Sequence, residues 1–225
     1  MTEASPRLTI AILGGSGKEG KGLALRWAHA GHRVVIGSRD AARAQEAAGE
    51  INGLINREGA SGADNLAAAQ AADLVVLAVP YAAQQTTVES VRAALAGKIL
   101  IDVTVPLKPP KVSRVQLPEG GSAVEAVQKL LGDGIRVVSA FQNISAHHLM
   151  HLGDTIDCDV LVCADDKNAG EQVVALAREI GLGAFYAGVL ANSVVAEALT
   201  SVLITLNRRY GVADSGIRIT GIPRE

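Results

Sequence analysis

A largely apolar run of six residues, Leu8 to Leu13 (LTIAIL), leads straight into Gly14-Gly15-Ser16-Gly17-Lys18-Glu19-Gly20. An unbroken apolar run of strand length fits a strand buried on both faces. The glycines then require a tight turn that opens a helix. Gly15 permits the turn, Gly17 lets the backbone approach a pyrophosphate, and Gly20 lets the helix pack close to the strand. Gly20 to Ala30 continues as that helix, with Leu23, Trp27 and Ala30 on one face and Gly31 as its stop. Its first N–H groups and its dipole favour an anion.

The rest of the chain repeats this alternation. Arg33 to Gly37 is predicted as a strand and Ala41 to Ile55 as a helix capped by Asp40. A polar patch, Asn56 to Asp64, precedes a short helix over Asn65 to Ala71. Leu74 to Val79 is a buried strand ended by Pro80. Gln84 to Leu95 is helical, and Lys98 to Asp102 is a strand. Leu107 to Gly121 is a loop long enough to be functional. Ser122 to Leu131 is a helix with Ser122 as N-cap and Glu125 at the capping-box position. Strands over Ile135 to Ala140, Asp159 to Ala164 and Ala184 to Tyr186 come next, with a helix over Lys167 to Ile180. Asp165-Asp166 caps that helix. Ala191 to Tyr210 closes the pattern as a long, largely apolar helix.

Apolar strands alternating with helices indicate an α/β protein with a doubly wound parallel sheet, the Rossmann arrangement, and a smaller C-terminal α/β lobe. The expected division is a nucleotide-binding domain over 1–140 and a lobe over 141–225.

Composition narrows the function classes. With 48 % hydrophobic residues and a net charge of −2, the 225-residue chain is neither disordered nor a basic nucleic-acid binder. At 3 % aromatic content, base stacking on exposed rings is not expected. The longest apolar runs are strand-length, so no membrane span is expected, and polar Met1 to Arg7 lacks a signal-peptide core. The expected location is therefore the cytoplasm. Cys158 and Cys163 read as core thiols.

The glycine turn overlaps a second pattern, G-x-x-x-x-G-K from Gly15 to Lys21. Gly22 stands where a phosphate-binding NTPase loop needs Ser or Thr for Mg²⁺, which excludes that chemistry. The dinucleotide is chosen at the end of the second strand. An NAD site places an acid there for the ribose hydroxyls. Here the residues are Gly37-Ser38-Arg39, with Arg43 one helical turn on. A hydroxyl and guanidinium groups suit a 2′-phosphate, so NADP is preferred. Asp40, as an N-cap, would point its carboxylate at its own helix.

These residues carry a family resemblance. Leu13 to Gly17, Gly20 to Ala24 and Gly37 to Arg39 resemble the NADPH-dependent F420 reductases. So do Val137 to Phe141, Cys158 to Val162, Leu190 to Ser193, Leu206 to Tyr210 and Gly216 to Gly221. The resemblance implies hydride transfer between nicotinamide C4 and C5 of the deazaflavin F420. It implies that Gly15, Ser16, Gly17, Lys18 and Glu19 lie against the pyrophosphate and ribose, and that Ser38, Arg39 and Arg43 hold the 2′-phosphate. Tyr81 and Gln85 would line the path to the nicotinamide, with Val105, Pro106, Leu107 and Ala146 beside the ring. F420 would lie near Gln142, Ile144, Asn192 and Thr200. No acid–base residue is required, because two stacked rings need proximity above all. Two positions depart from the family: Gln142 replaces a common His, and Val194-Val195 replaces a common Arg. Other acceptors on the same fold, a flavin or an imine, and a non-catalytic NADP(H) sensor are the alternatives.

His147, His148 and His151 invite a metal reading, but zinc needs a third ligand and the local sequence places none, so no metal is expected. Lys108 and Lys111 read as solvated loop lysines. The C-terminal helix carries a low-charge run from Val194 to Leu206, which needs partners on nearly all sides. Packing on the first domain or a two-fold interface would supply them, and the family resemblance favours a homodimer.

Overall fold

A computed structural model describes residues 7–153 and 155–223. Met1 to Pro6, most of the polar start of the chain, lie outside the described residues. Eight strands form one sheet: β1 (Thr9–Leu13), β2 (Arg33–Ser38), β3 (Ala60–Asp64), β4 (Leu74–Leu77), β5 (Ile99–Asp102), β6 (Arg136–Ser139), β7 (Asp159–Ala164) and β8 (Gly183–Tyr186). Their spatial order is β3-β2-β1-β4-β5-β6-β7-β8. The helices are α1 (Lys18–Ala30), α2 (Ala41–Ile55), α3 (Asn65–Ala71), α4 (Gln84–Val91), α5 (Ala123–Leu131), α6 (Ala146–Leu149), α7 (Lys167–Glu179) and α8 (Ser193–Tyr210).

The unbroken apolar strands are explained by burial on both faces. Ile10 and Ile12 face a core built with Leu23 and Trp27 of α1, Ile51 of α2 and Val173 of α7. Ala11 and Leu13 face the opposite core, with Ala68 of α3, Val88 of α4 and Val127 of α5. Both cores close as the strand alternates sides, so the middle of β1 is apolar on both faces.

The pairing is parallel except between β6 and β7, which run antiparallel. The chain leaves β6 and returns without a full crossover helix, and α6 is a single short turn in that connection. The expected 1–140 and 141–225 division falls at this reversal, although the sheet itself continues across it.

Several boundaries differ from the sequence reading. The polar patch contains β3, an edge strand of sequence ASGAD. It has no apolar run because α2 covers it at backbone distance: a Cβ on Gly62 would stand 2.3 Å from the Ala44 carbonyl carbon. Helix α1 starts at Lys18, inside the glycine motif. The helix expected over Gln84 to Leu95 is α4 followed by a 3-10 turn at Arg92–Leu95. With its preceding turn, α8 spans Leu190–Tyr210, long and apolar enough by composition to cross a membrane, at mean hydropathy 1.3. That exceeds the strand-length runs noted in the sequence. Its inward side nevertheless carries Ser193, Glu197 and Ser201, all buried.

Cys158 and Cys163 are free and buried. Burial pushes the Cys163 thiol up to about 11, and so keeps it protonated.

Candidate functional site

The strand order reverses direction between β1 and β4, and ligands of open α/β sheets bind in the crevice beyond such a point. The chain ends there are in close approach. A Cβ on Gly14, whose φ is +82°, would lie 2.5 Å from the Ala78 carbonyl oxygen, so only glycine fits. Gly17 caps α1 without a side-chain hydrogen bond, leaving the first-turn N–H groups without a side-chain acceptor. This is a fitted cradle for a phosphate.

Two hollows meet over this turn. The smaller, about 240 Å³, is lined by Ser16, Gly17, Ser38, Arg39, Arg43 and Asn65, with Ala78 to Pro80 as its inner wall. Asp40 accepts from the Ala42 and Arg43 N–H groups, so its carboxylate is turned to its own helix as expected. Arg43 retains only a 3.9 Å approach to Asp40, with both side chains largely exposed. Asn65 was missed in the sequence. Its Oδ1 is buried without a partner beside Gly37, and no local motif marks it.

The larger hollow, about 610 Å³, shares Gly17 and Ala78 to Pro80 with the first. Lys18, Glu19, Tyr81, Val105 and Leu107 line it, together with Gln142, Ile144 and Thr200. That volume is in the range of pockets that hold drug-sized ligands. The long loop contributes Leu107, Pro109 and Val112. Helix α8 holds this loop in place, because Thr205 Oγ1 and Arg208 Nη1 donate to the Ser113 carbonyl and hydroxyl.

Five expected residues stand elsewhere. Gln85 is exposed, and the inward glutamine is its neighbour Gln84. Pro106 is buried behind the wall, within a tight turn closed by Leu107 N–H on Val105 O at 2.7 Å. Ala146 opens α6 and lines neither hollow. Asn192 is exposed, its amide donating to Ala187 O at 2.7 Å. Gly15 is buried inside the turn itself. The valines that replace the family arginine also line neither hollow.

Beneath the larger hollow lies a buried polar layer. Gln84 Nε2 donates to Asp102 Oδ2 at 2.7 Å, and Gln142 Nε2 donates to the Asp102 carbonyl at 2.8 Å and to Ser139 Oγ at 2.9 Å. Asp102 also accepts from the Thr104 N–H. Burial pushes its carboxyl up, against the opposing pull of the Thr104 and Gln84 hydrogen bonds. Glu197 of α8 accepts from Ser122 Oγ and from the Ala123 and Val124 N–H groups, capping α5. Gln142 Oε1 and Thr104 Oγ1 remain buried without partners at the edge of the hollow. Phe141 has φ +72°, an unfavourable region for a bulky residue. Its ring is anchored edge-on to Trp27 at 5.7 Å. The turn this creates presents Gln142 to the hollow.

Glu19 is unusual. Its stem is half-buried, but Oε1 is enclosed and has no partner. Burial pushes its carboxyl up to about 8, so it is mainly neutral at pH 7. A neutral acid does not repel an anion held at the adjoining helix start.

Residues 9–106 match a family model described as NADP oxidoreductase coenzyme F420-dependent. The chain is 43 % identical over 225 residues to the F420-dependent NADP reductase of Methanothermobacter thermautotrophicus, covering 97 % of each. It is 41 % identical to the Methanothermobacter marburgensis reductase of the same name, covering 96 % of this chain and 100 % of that one. The crystal structure of a candidate F420-dependent NADP reductase from Arthrobacter sp. FB24 superposes with TM-score 0.78 at 26 % identity, over 95 % of this chain and 99 % of the other. A glycine cradle at the switch point, a cationic end and an apolar hollow thus coincide with near full-length similarity, and the chain belongs to the F420-dependent NADP reductase family.

Proposed function

We propose that the protein transfers a hydride between NADP(H) and the deazaflavin coenzyme F420. The carrying observation is the continuity of the two hollows, one cationic and one largely apolar, across the Gly17 and Ala78 to Pro80 wall. When bound, the two coenzymes supply the donor and acceptor carbons. The chain's own residues position them. The α1 start and Ser16 to Lys18 take the pyrophosphate, and Ser38, Arg39 and Arg43 take the 2′-phosphate. Val105, Leu107 and Ile144 wall in the rings and exclude water. Gln142 Oε1 and Thr104 Oγ1 offer hydrogen-bonding atoms at the ring edges. Holding donor and acceptor within about 3–3.5 Å supplies most of what such a transfer needs.

The residues 1–140 supply the NADP end and 141–225 much of the F420 end. The protein acts as a cytoplasmic homodimer without nucleic-acid or membrane partners. The dimer reading is supported by α8, whose outward side exposes Val195, Val202 and Leu206 in one stripe.

The test is absorbance at the oxidised-F420 band with purified protein and NADPH, with NADH in parallel. Bleaching with NADPH and little with NADH is expected. No bleaching while NADPH still binds overturns the F420 reading and points to a flavin or imine acceptor, or to a sensor.

A further inference from the structure

Three of the five histidines fall between positions 147 and 151. Their sequence neighbourhood offers no third metal ligand, but the fold brings one from the segment after α8. Ligand atoms of His147, His148 and Asp214 all lie within 4.8 Å of one another. His147 Nδ1 stands 3.2 Å from Asp214 Oδ2. In tetrahedral zinc sites, bonds of about 2.0–2.1 Å put neighbouring donors about 3.3–3.4 Å apart. One edge of the cluster is already close to that length. We propose that His147, His148 and Asp214 form a zinc(II) site that pins the C-terminal segment to α6.

Both halves of the cluster are held independently of any metal. The buried Arg26 of α1 donates to the carbonyls of His148 at 2.9 Å, Leu149 at 3.1 Å and His151 at 2.7 Å. This fixes the backbone that carries the histidines. On the other half, Asn207 Nδ2 donates to Ala213 O and Asn207 Oδ1 accepts from Ser215 N–H, bracketing Asp214. Ser145 Oγ donates to Asp214 Oδ1 at 2.6 Å, leaving Oδ2 turned to His147. A hydrogen bond that orients a ligating carboxylate in this way is the usual support of a metal site. His148 Nε2 also approaches the Asp214 carbonyl at 3.4 Å, so both imidazoles already meet Asp214 before any ion binds, and the support behind both halves keeps them there. Two imidazoles and one carboxylate suit zinc, whereas magnesium and calcium prefer oxygen cages. Three protein ligands leave a fourth position for water. His147 is mostly exposed, so the ion can exchange.

The site sits apart from the hydride-transfer reading, and its test does not use activity. Metal-free protein is titrated with ZnCl₂ by calorimetry and melted with and without zinc. One zinc per chain and a rise in Tm are expected, with magnesium giving neither. His148→Ala and Asp214→Asn should each weaken binding at least about tenfold, and Ser145→Ala about tenfold through the carboxylate it orients. His29→Ala, at an exposed histidine on α1, should bind like the wild type. Cobalt in place of zinc should give four-coordinate d–d bands without thiolate charge transfer. Each variant's zinc-induced rise in Tm is measured against its own metal-free form, so that loss of the Ser145–Asp214 or His147–Asp214 contact is not counted as loss of zinc. Absence of zinc binding by the wild type, or binding unchanged in both His148→Ala and Asp214→Asn, overturns the proposal.

Discussion

Arg39 and Glu19 stand at opposite ends of one crevice, and each makes a prediction of its own. The place of Arg39 in the smaller hollow was legible because it follows directly after a strand, which is a matter of sequence position. Charge-assisted contacts to phosphate contribute about 1.5–3 kcal/mol. Arg39→Ala should therefore lower kcat/KM for NADPH about tenfold or more and leave that for NADH nearly unchanged, as steady-state kinetics would report. Glu19 was legible as a motif position but not as a buried acid, since burial of its carboxyl is a property of the packed fold. Its folded pKa, about 8, lies above the ordinary value of 4.5. The folded state thus holds a proton that the unfolded chain has released, and stability is lost as pH rises between those values. Glu19→Gln should flatten this dependence. The wild type should lose more Tm than the variant between pH 6 and pH 9, and equal losses would contradict the assignment.

Among the elements, α5 and α8 meet through one carboxylate. Sequence marks Ser122 as the N-cap, and Ser122 Oγ does accept from the Val124 and Glu125 N–H groups. What it does not show is Glu197, which comes from 75 positions away to accept from Ser122 Oγ. Glu197→Ala leaves the Ser122 hydroxyl and the Ala123 N–H without this acceptor, and weakens the cap at Val124. At about 1–3 kcal/mol for each buried group left unpaired, a loss of about 3 kcal/mol is expected from urea unfolding. Edge strand β3 was illegible for a related reason. Hydrophobic pattern reports side-chain burial, and Gly62 packs by backbone against α2 with no side chain to signal it. Likewise Gln84 and Gln85 look equivalent in sequence, and only the start of α4 decides which one turns inward to Asp102.

For the whole molecule, the exposed apolar stripe of α8 is the surface through which the proposed dimer would form. Val202 is 46 % exposed and Leu206 37 % exposed, one turn apart, while the opposite side of the helix is committed to the core. Val202→Glu with Leu206→Glu should convert a dimer to a monomer in light scattering without unfolding it. If the wild type is already a monomer, the dimer reading fails. Residue order was enough to specify the β1–turn–α1 unit, the doubly wound class and the cationic end of the crevice. These depend on residues adjacent in the chain, whose periodicity and turn chemistry act locally. The reversed β7, the Glu197 cap, the enclosure of Glu19 and the meeting of Asp214 with His147 and His148 came from packing in three dimensions. Each depends on groups brought together across tens of residues, where burial and geometry are properties of the packed fold and leave no periodic trace in the chain.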